Sequence, residues 1–159
     1  MSSKSLCRLI RLAVAASAVC GALLALWVVP EWGRAVAEAN PEFAYCYVPW
    51  LSFIWLAAVP CFAVLVYIWR VSGAILRDEV FTLKTAGWIH KSAVILFADI
   101  GFFFAGNIVL LLLNMNHPGI LLLSLLADIF ASALALLAAV LSRYITKAAE
   151  LQEVSEGMI

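Results

Sequence analysis

Two carboxylates, Asp99 and Asp128, stand inside apolar runs at residues 92–113 and 119–142, which are joined by the polar turn Asn114, Met115, Asn116, His117 and Pro118. A charge in such surroundings costs several kcal/mol unless it is paired or hydrogen-bonded. Neither run supplies a Lys or Arg as countercharge. Each acid is therefore expected to be protonated or strongly hydrogen-bonded. Two kinds of chemistry follow. Intramembrane acids mark proton and cation pathways, and they also serve as interhelical glue, in which Asp, Asn and Ser contacts contribute about 0.6–2 kcal/mol each. The residues themselves leave both readings open.

A helix turns about 100° per residue, and this period sorts both runs into faces. In the second, Ser124, Asp128, Ser132, Ala135, Ala139 and Ser142 share one side, while Leu122, Leu125, Leu126, Ile129, Leu136, Leu137, Val140 and Leu141 lie off it. In the first, Ser92, Asp99, Gly106, Asn107 and Asn114 fall together. An antiparallel hairpin closing near Asn116 puts Asp128 across from Phe104 and close to Asn107, and Asp99 across from Ala133 beside Ser132. Asp99, Asn107, Ser124, Asp128 and Ser132 form the candidate intramembrane polar face. No HxxxH, GxSxG or phosphate-binding glycine loop competes with it, and His90 and His117 fall on opposite sides of the expected membrane. No enzymatic activity, cofactor or metal site is expected.

The chain that must position this face has 159 residues, 66% apolar composition and a mean hydropathy of +1.06. Soluble domains contain about 45–50% apolar residues, so this is an integral membrane protein. Apolar runs at 9–29, 50–71, 92–113 and 119–142 each provide about 20 residues, enough for a bilayer core of roughly 30 Å. The fold class is all-α: a single membrane domain over 1–159, a bundle of four transmembrane helices with a polar tail at 143–159. Ten basic and ten acidic residues cancel, which leaves no basic field for direct nucleic-acid binding.

Nine Lys and Arg residues flank one side of the spans (Lys4, Arg8, Arg11, Arg70, Arg77, Lys84, Lys91, Arg143 and Lys147), and Arg34 alone flanks the other. The positive-inside rule then makes both termini and the loop 72–91 cytoplasmic. The same bases can attract anionic membrane lipid at about 1 kcal/mol each. The basic start followed by an apolar run resembles a signal peptide, but that run exceeds the usual 7–15 residues of a signal core, so retention as a first span is expected.

Along the chain, Ala13, Ser17, Gly21 and Ala25 recur every four residues as a small-residue ridge that admits a close second helix; homo-oligomers remain open. Residues 30–48 read as a loop with interfacial aromatics Trp32, Tyr45, Tyr47 and, just beyond it, Trp50, plus one or two helical turns near 31–39. Such aromatics usually anchor the membrane surface, with ligand binding as the alternative. Pro60 predicts a kink in the second span, and Thr82 an N-cap for the third helix. The four cysteines, Cys7, Cys20, Cys46 and Cys61, lack metal or redox spacing. The tail predicts a helix ending near Gly157, with Leu151, Val154 and Met158 as an apolar stripe between Glu150, Glu153 and Glu156.

Two short elements carry a family resemblance. The segment Arg77-Asp78-Glu79-Val80-Phe81-Thr82 and the tail Ala149-Glu150-Leu151-Gln152-Glu153, set in a four-span chain, resemble a family of small bacterial membrane proteins catalogued as a domain of unknown function. The resemblance covers nearly the whole chain, although Glu156-Gly157-Met158-Ile159 departs from the usual ending. It implies a bacterial cytoplasmic (inner) membrane location and no established activity. It also implies a neighbouring Cro/C1-type helix-turn-helix regulator, with Arg77, Phe81, Thr82, Glu150, Leu151 and Glu153 as the partner-facing residues. The expected role is a non-enzymatic membrane partner or sensor for a small cytosolic transcription regulator. The alternative is a small proton- or cation-coupled transporter using Asp99 and Asp128. Small multidrug transporters also have four spans, but they carry a glutamate in the first, where residues 12–29 hold no acid.

Overall fold

In the computed structural model of the chain, which describes residues 3–156, four helices are long and apolar enough to cross a membrane. The elements are α1 (Ser3–Leu23), a π-helical turn (Leu24–Val28), α2 (Val29–Ala39), a 3₁₀ segment (Pro41–Cys46), α3 (Tyr47–Leu76), α4 (Leu83–Leu112) and α5 (Pro118–Glu156). Gly157 and Met158, expected to end the tail helix and its stripe, lie outside the described residues.

The first helix differs most from the sequence reading. Residues 31–39 are not a separate element in a loop: α1, the π turn and α2 run on as 37 helical residues, Ser3–Ala39. Pro30 explains the π turn between them. Having no N–H, it cannot donate backward, and the ladder adjusts so that the Val29 N–H reaches the Leu24 carbonyl. That shift removes Val29 as the α-helical donor to Ala25, whose next candidate donor is Pro30 itself. The indole Nε1 of Trp55 fills the gap, donating to the Ala25 carbonyl at 2.8 Å. A π-bulge inside a helix thus has its orphan acceptor satisfied from a neighbouring helix.

The turns are built with similar economy. At the end of α3, Glu79 N–H donates to Ala74 O (3.0 Å) and Asp78 N–H to Ile75 O (3.4 Å). At the end of α4, Met115 N–H donates to Leu110 O (2.8 Å) and Asn114 N–H to Leu111 O (3.0 Å). Both are Schellman caps, with Asp78 at φ 55° and Asn114 at φ 56° in the left-handed position that Asn and Asp tolerate better than most side chains. Asn114 therefore leaves the α4 polar face it was expected to share. Thr82 caps α4 as its type predicts, its hydroxyl accepting from Thr85 N–H at 3.3 Å; such a cap contributes about 1 kcal/mol.

The close helix pairs follow chain order: α1 with α3, α3 with α4, and α4 with α5. At the end where the termini lie, Arg11 Nε donates to Ser72 Oγ (3.3 Å) and its guanidinium covers the Trp69 ring. There too Ala86, Ile89 and Ile145 form a small core joined by Val71 and Ala138. Ser142 Oγ donates to Ala86 O at 2.9 Å, fastening α5 to α4. Towards the other end, the Phe53 ring stacks on Phe103, 5.4 Å between centroids at 9°, and fits over Gly106, where a Cβ would fall on that ring.

Large apolar side chains cover the outside. Leu122, Leu123, Ile129, Phe130 and Leu137 are all exposed on α5, while Ser124, Asp128, Ala135 and Ser142 are buried. In water this would be an inverted arrangement; in hydrocarbon it is the expected one, because Leu is as well solvated by lipid as by protein and the polar residues turn inward.

Candidate functional site

The predicted polar face is present, but its hydrogen bonds differ from the expected glue. Asn107, Ser124 and Asp128 are buried, and Asp99 and Ser132 are half-buried. Ser124 donates back to Leu121 O on its own helix (2.8 Å), and Asn107 donates to Phe103 O (2.9 Å). The partner of Asp99 comes from α3: Cys61 Sγ lies 3.5 Å from Asp99 Oδ2 and donates to it. Asp99 Oδ1 and Asp128 Oδ2 are buried with no hydrogen-bond partner among the described residues. Cys61 was invisible as a partner in the sequence because α3 and α4 meet only in the tertiary fold; its signal was a lone cysteine in an apolar span.

Asn107 does make one reach along the chain. Its Oδ1 accepts from Asn116 Nδ2 at 2.9 Å, so the polar turn folds back onto α4. Asn116 Oδ1 in turn accepts from His117 N–H (2.9 Å), and His117 Nδ1 accepts from Gly119 N–H (3.0 Å). In the neutral ring this leaves the imidazole proton on Nε2. The turn is thereby held in one shape immediately before α5.

This turn forms one wall of a cavity of about 350 Å³ at the end of the molecule away from the termini. The opposite wall comes from α2, the 3₁₀ segment and the start of α3, and includes Trp32, Phe43, Tyr47 and Trp50. The Trp32 and Trp50 rings lie 6.0 Å apart at 58°. Tyr47 is pinned by donating its hydroxyl proton to Pro30 O at 3.3 Å. Gly33 is needed here: a Cβ would stand 2.8 Å from Tyr47 Cε2 and 3.3 Å from Trp50 Cζ3. The aromatic residues were legible as membrane-surface anchors. That three segments distant in sequence close round one cavity was not.

The predicted partner-facing residues lie at the opposite end. Arg77 and Phe81 are exposed, Arg77 stands 4.0 Å from Glu79, and Thr82 serves the α4 cap. Glu150, Leu151 and Glu153 are exposed on α5. The loop and the tail therefore share an end of the molecule, with Thr82 partly occupied by its structural role.

No curated protein and no solved structure matches the chain. The family described as a protein of unknown function (DUF2975) matches residues 31–156, from α2 through the end of α5, and the chain belongs to that family.

Proposed function

We propose that this protein is a non-enzymatic membrane partner or sensor for a small cytosolic transcription regulator of the helix-turn-helix class, seated in a bacterial inner membrane with both termini in the cytosol. The observation that carries the reading is the course of α5. Its 39 residues rise roughly 58 Å at about 1.5 Å each, nearly twice a bilayer core of about 30 Å. The helix thus continues beyond its apolar run, and there Leu151 and Val154 are 71% and 61% exposed. Spaced three apart and bordered by Glu150 and Glu153, they suit the groove of a partner that accepts one face of a helix. The regulator class comes from the family resemblance.

Affinity purification from native membranes tests this reading, comparing the full-length protein, a chain truncated after Thr146, and a full-length Leu151→Glu, Val154→Glu variant. The expected result is recovery of a small DNA-binding protein with the wild type and its loss with both altered forms. Identical eluates from all three would overturn it.

A second reading has its own observation, the pair of orphaned carboxylate oxygens on Asp99 and Asp128. A proton or cation relay through them predicts pH-driven uptake by reconstituted vesicles that Asp128→Asn abolishes. Equal fluxes in wild type and variant would remove it.

A further inference from the structure

We propose that the cavity between α2, the start of α3 and the α4–α5 turn is a binding site for a small organic cation of the quaternary-ammonium type. The inference is independent of the regulator reading, and either holds without the other.

Four aromatic side chains, Trp32, Phe43, Tyr47 and Trp50, line this one cavity. The negative face of an aromatic ring attracts a cation, most strongly when both are shielded from water. A lone ring at a membrane surface is an anchor, but here the half-buried Tyr47 and Trp50 and the more exposed Trp32 and Phe43 line one shared space. Its volume of about 350 Å³ sits at the small end of ligand pockets, which span roughly 300–1,000 Å³. This lining is also built before any ligand arrives. Tyr47 is held by Pro30 O, Tyr47 and Trp50 both close over Gly33, and Trp32 leans against Trp50.

Charge selects among occupants. The lining contains no Lys, Arg, Asp or Glu, so an anion would find no countercharge. The surrounding segment 30–48 carries Glu31, Glu38 and Glu42 against Arg34, a net formal charge of −2. Arg34 is engaged with Glu31 at 3.1 Å, and the exposed Glu38 and Glu42 belong to the same segment without lining the cavity themselves. The net negative charge of this segment raises the local concentration of cations, and the rings can hold one without a salt bridge. A quaternary ammonium suits such a lining better than a primary amine, because it has no N–H groups that would demand acceptors from an apolar wall. Asn40 Oδ1 and His117 Nε2, side-chain atoms of the lining that take no hydrogen bond among the described residues, can hydrogen-bond a hydroxyl or ether on the same molecule.

Calorimetric titration of the purified full-length protein in maltoside micelles tests the assignment, with choline as probe and neohexyl alcohol as its uncharged carbon isostere. Choline is expected to bind saturably and more tightly than the isostere. Trp32→Leu and Trp50→Leu should each weaken choline by about two- to thirtyfold, the range for one cation–π contact. The Glu38→Gln, Glu42→Gln pair should weaken it at low salt and less at high salt. Circular dichroism identifies variants that remain folded. Should both tryptophan variants unfold, the exposed Phe43, as Phe43→Leu, and the glutamate pair decide. Equal binding of the isostere, no saturable binding of choline, or wild-type affinity in the folded variants would overturn the proposal.

Discussion

Trp55 donates its indole proton to the carbonyl of Ala25 at 2.8 Å, and so supplies the bond that Pro30 takes away from the first helix. Trp55→Phe keeps the ring bulk and leaves that carbonyl without its donor. A loss of about 1 kcal/mol is expected, the scale of a hydrogen bond between membrane helices. Pro30→Ala restores an N–H and lets the ladder return to α-helical spacing. In that background Trp55→Phe should cost little, and a double-mutant cycle of unfolding in micelles reads the coupling. Equal costs in the two backgrounds would show that the π turn and Trp55 are unconnected.

Asp128 presents a different balance. Its Oδ2 is buried without a partner among the described residues, whereas Asp99 Oδ2 at least accepts from Cys61. An unsatisfied polar group in an apolar medium costs about 1–3 kcal/mol, so Asp128→Leu should stabilise the fold by that order. Asp99→Leu should gain less, because it also gives up the Cys61 hydrogen bond and leaves that thiol only the Ala57 carbonyl at 3.7 Å. Thermal unfolding of the purified variants measures both. A destabilised Asp128→Leu would mean that the carboxyl holds the helices together.

Gly106 faces the Phe53 ring, while a Cβ at Gly101 meets nothing within 4 Å. Gly106→Ala must push Phe53 out of its stack with Phe103 and should destabilise by about 1–3 kcal/mol, as overpacking does. Gly101→Ala, on the same helix, should be neutral or slightly stabilising. The difference between the two separates packing from helix propensity.

The proposed orientation predicts a labelling pattern. In a background without native cysteines, cysteine at Glu38 or His117, both exposed, should react with an impermeant thiol reagent in intact cells. Cysteine at Asp78 or Glu153 should react only after lysis. The reverse pattern would invert the chain in the membrane.

What the sequence made readable was local. On α5 the helical period separates Ser124, Asp128, Ala135 and Ser142 from Leu122, Leu126, Ile129 and Leu137, and the fold buries the first set and exposes the second. Thr82 was readable for the same reason, since a cap is settled within one turn of chain. Contacts between distant segments were not. Asp99 was expected beside Ser132 and found its hydrogen bond in Cys61, because the choice of partner depends on how α3 leans on α4. Residues 31–39 read as one or two helical turns in a connecting loop after Pro30, and the structure makes them a continuation of the first helix. Here a π turn absorbs Pro30, with help from a tryptophan one helix away. The aromatic residues near the start of α3 announced a membrane surface, and only the folded turn at Asn114–His117 makes them a cavity.

Between Ile120, at the cavity, and Val154, in the tail, α5 contains neither Gly nor Pro. The helix has no built-in hinge, and α4 holds it along its length through the Ser142–Ala86 hydrogen bond and the packing of Ile145. At about 1.5 Å per residue, the stretch from Ile120 to Val154 is roughly 51 Å long. One uninterrupted helix thus runs from the wall of the cavity to the exposed tail.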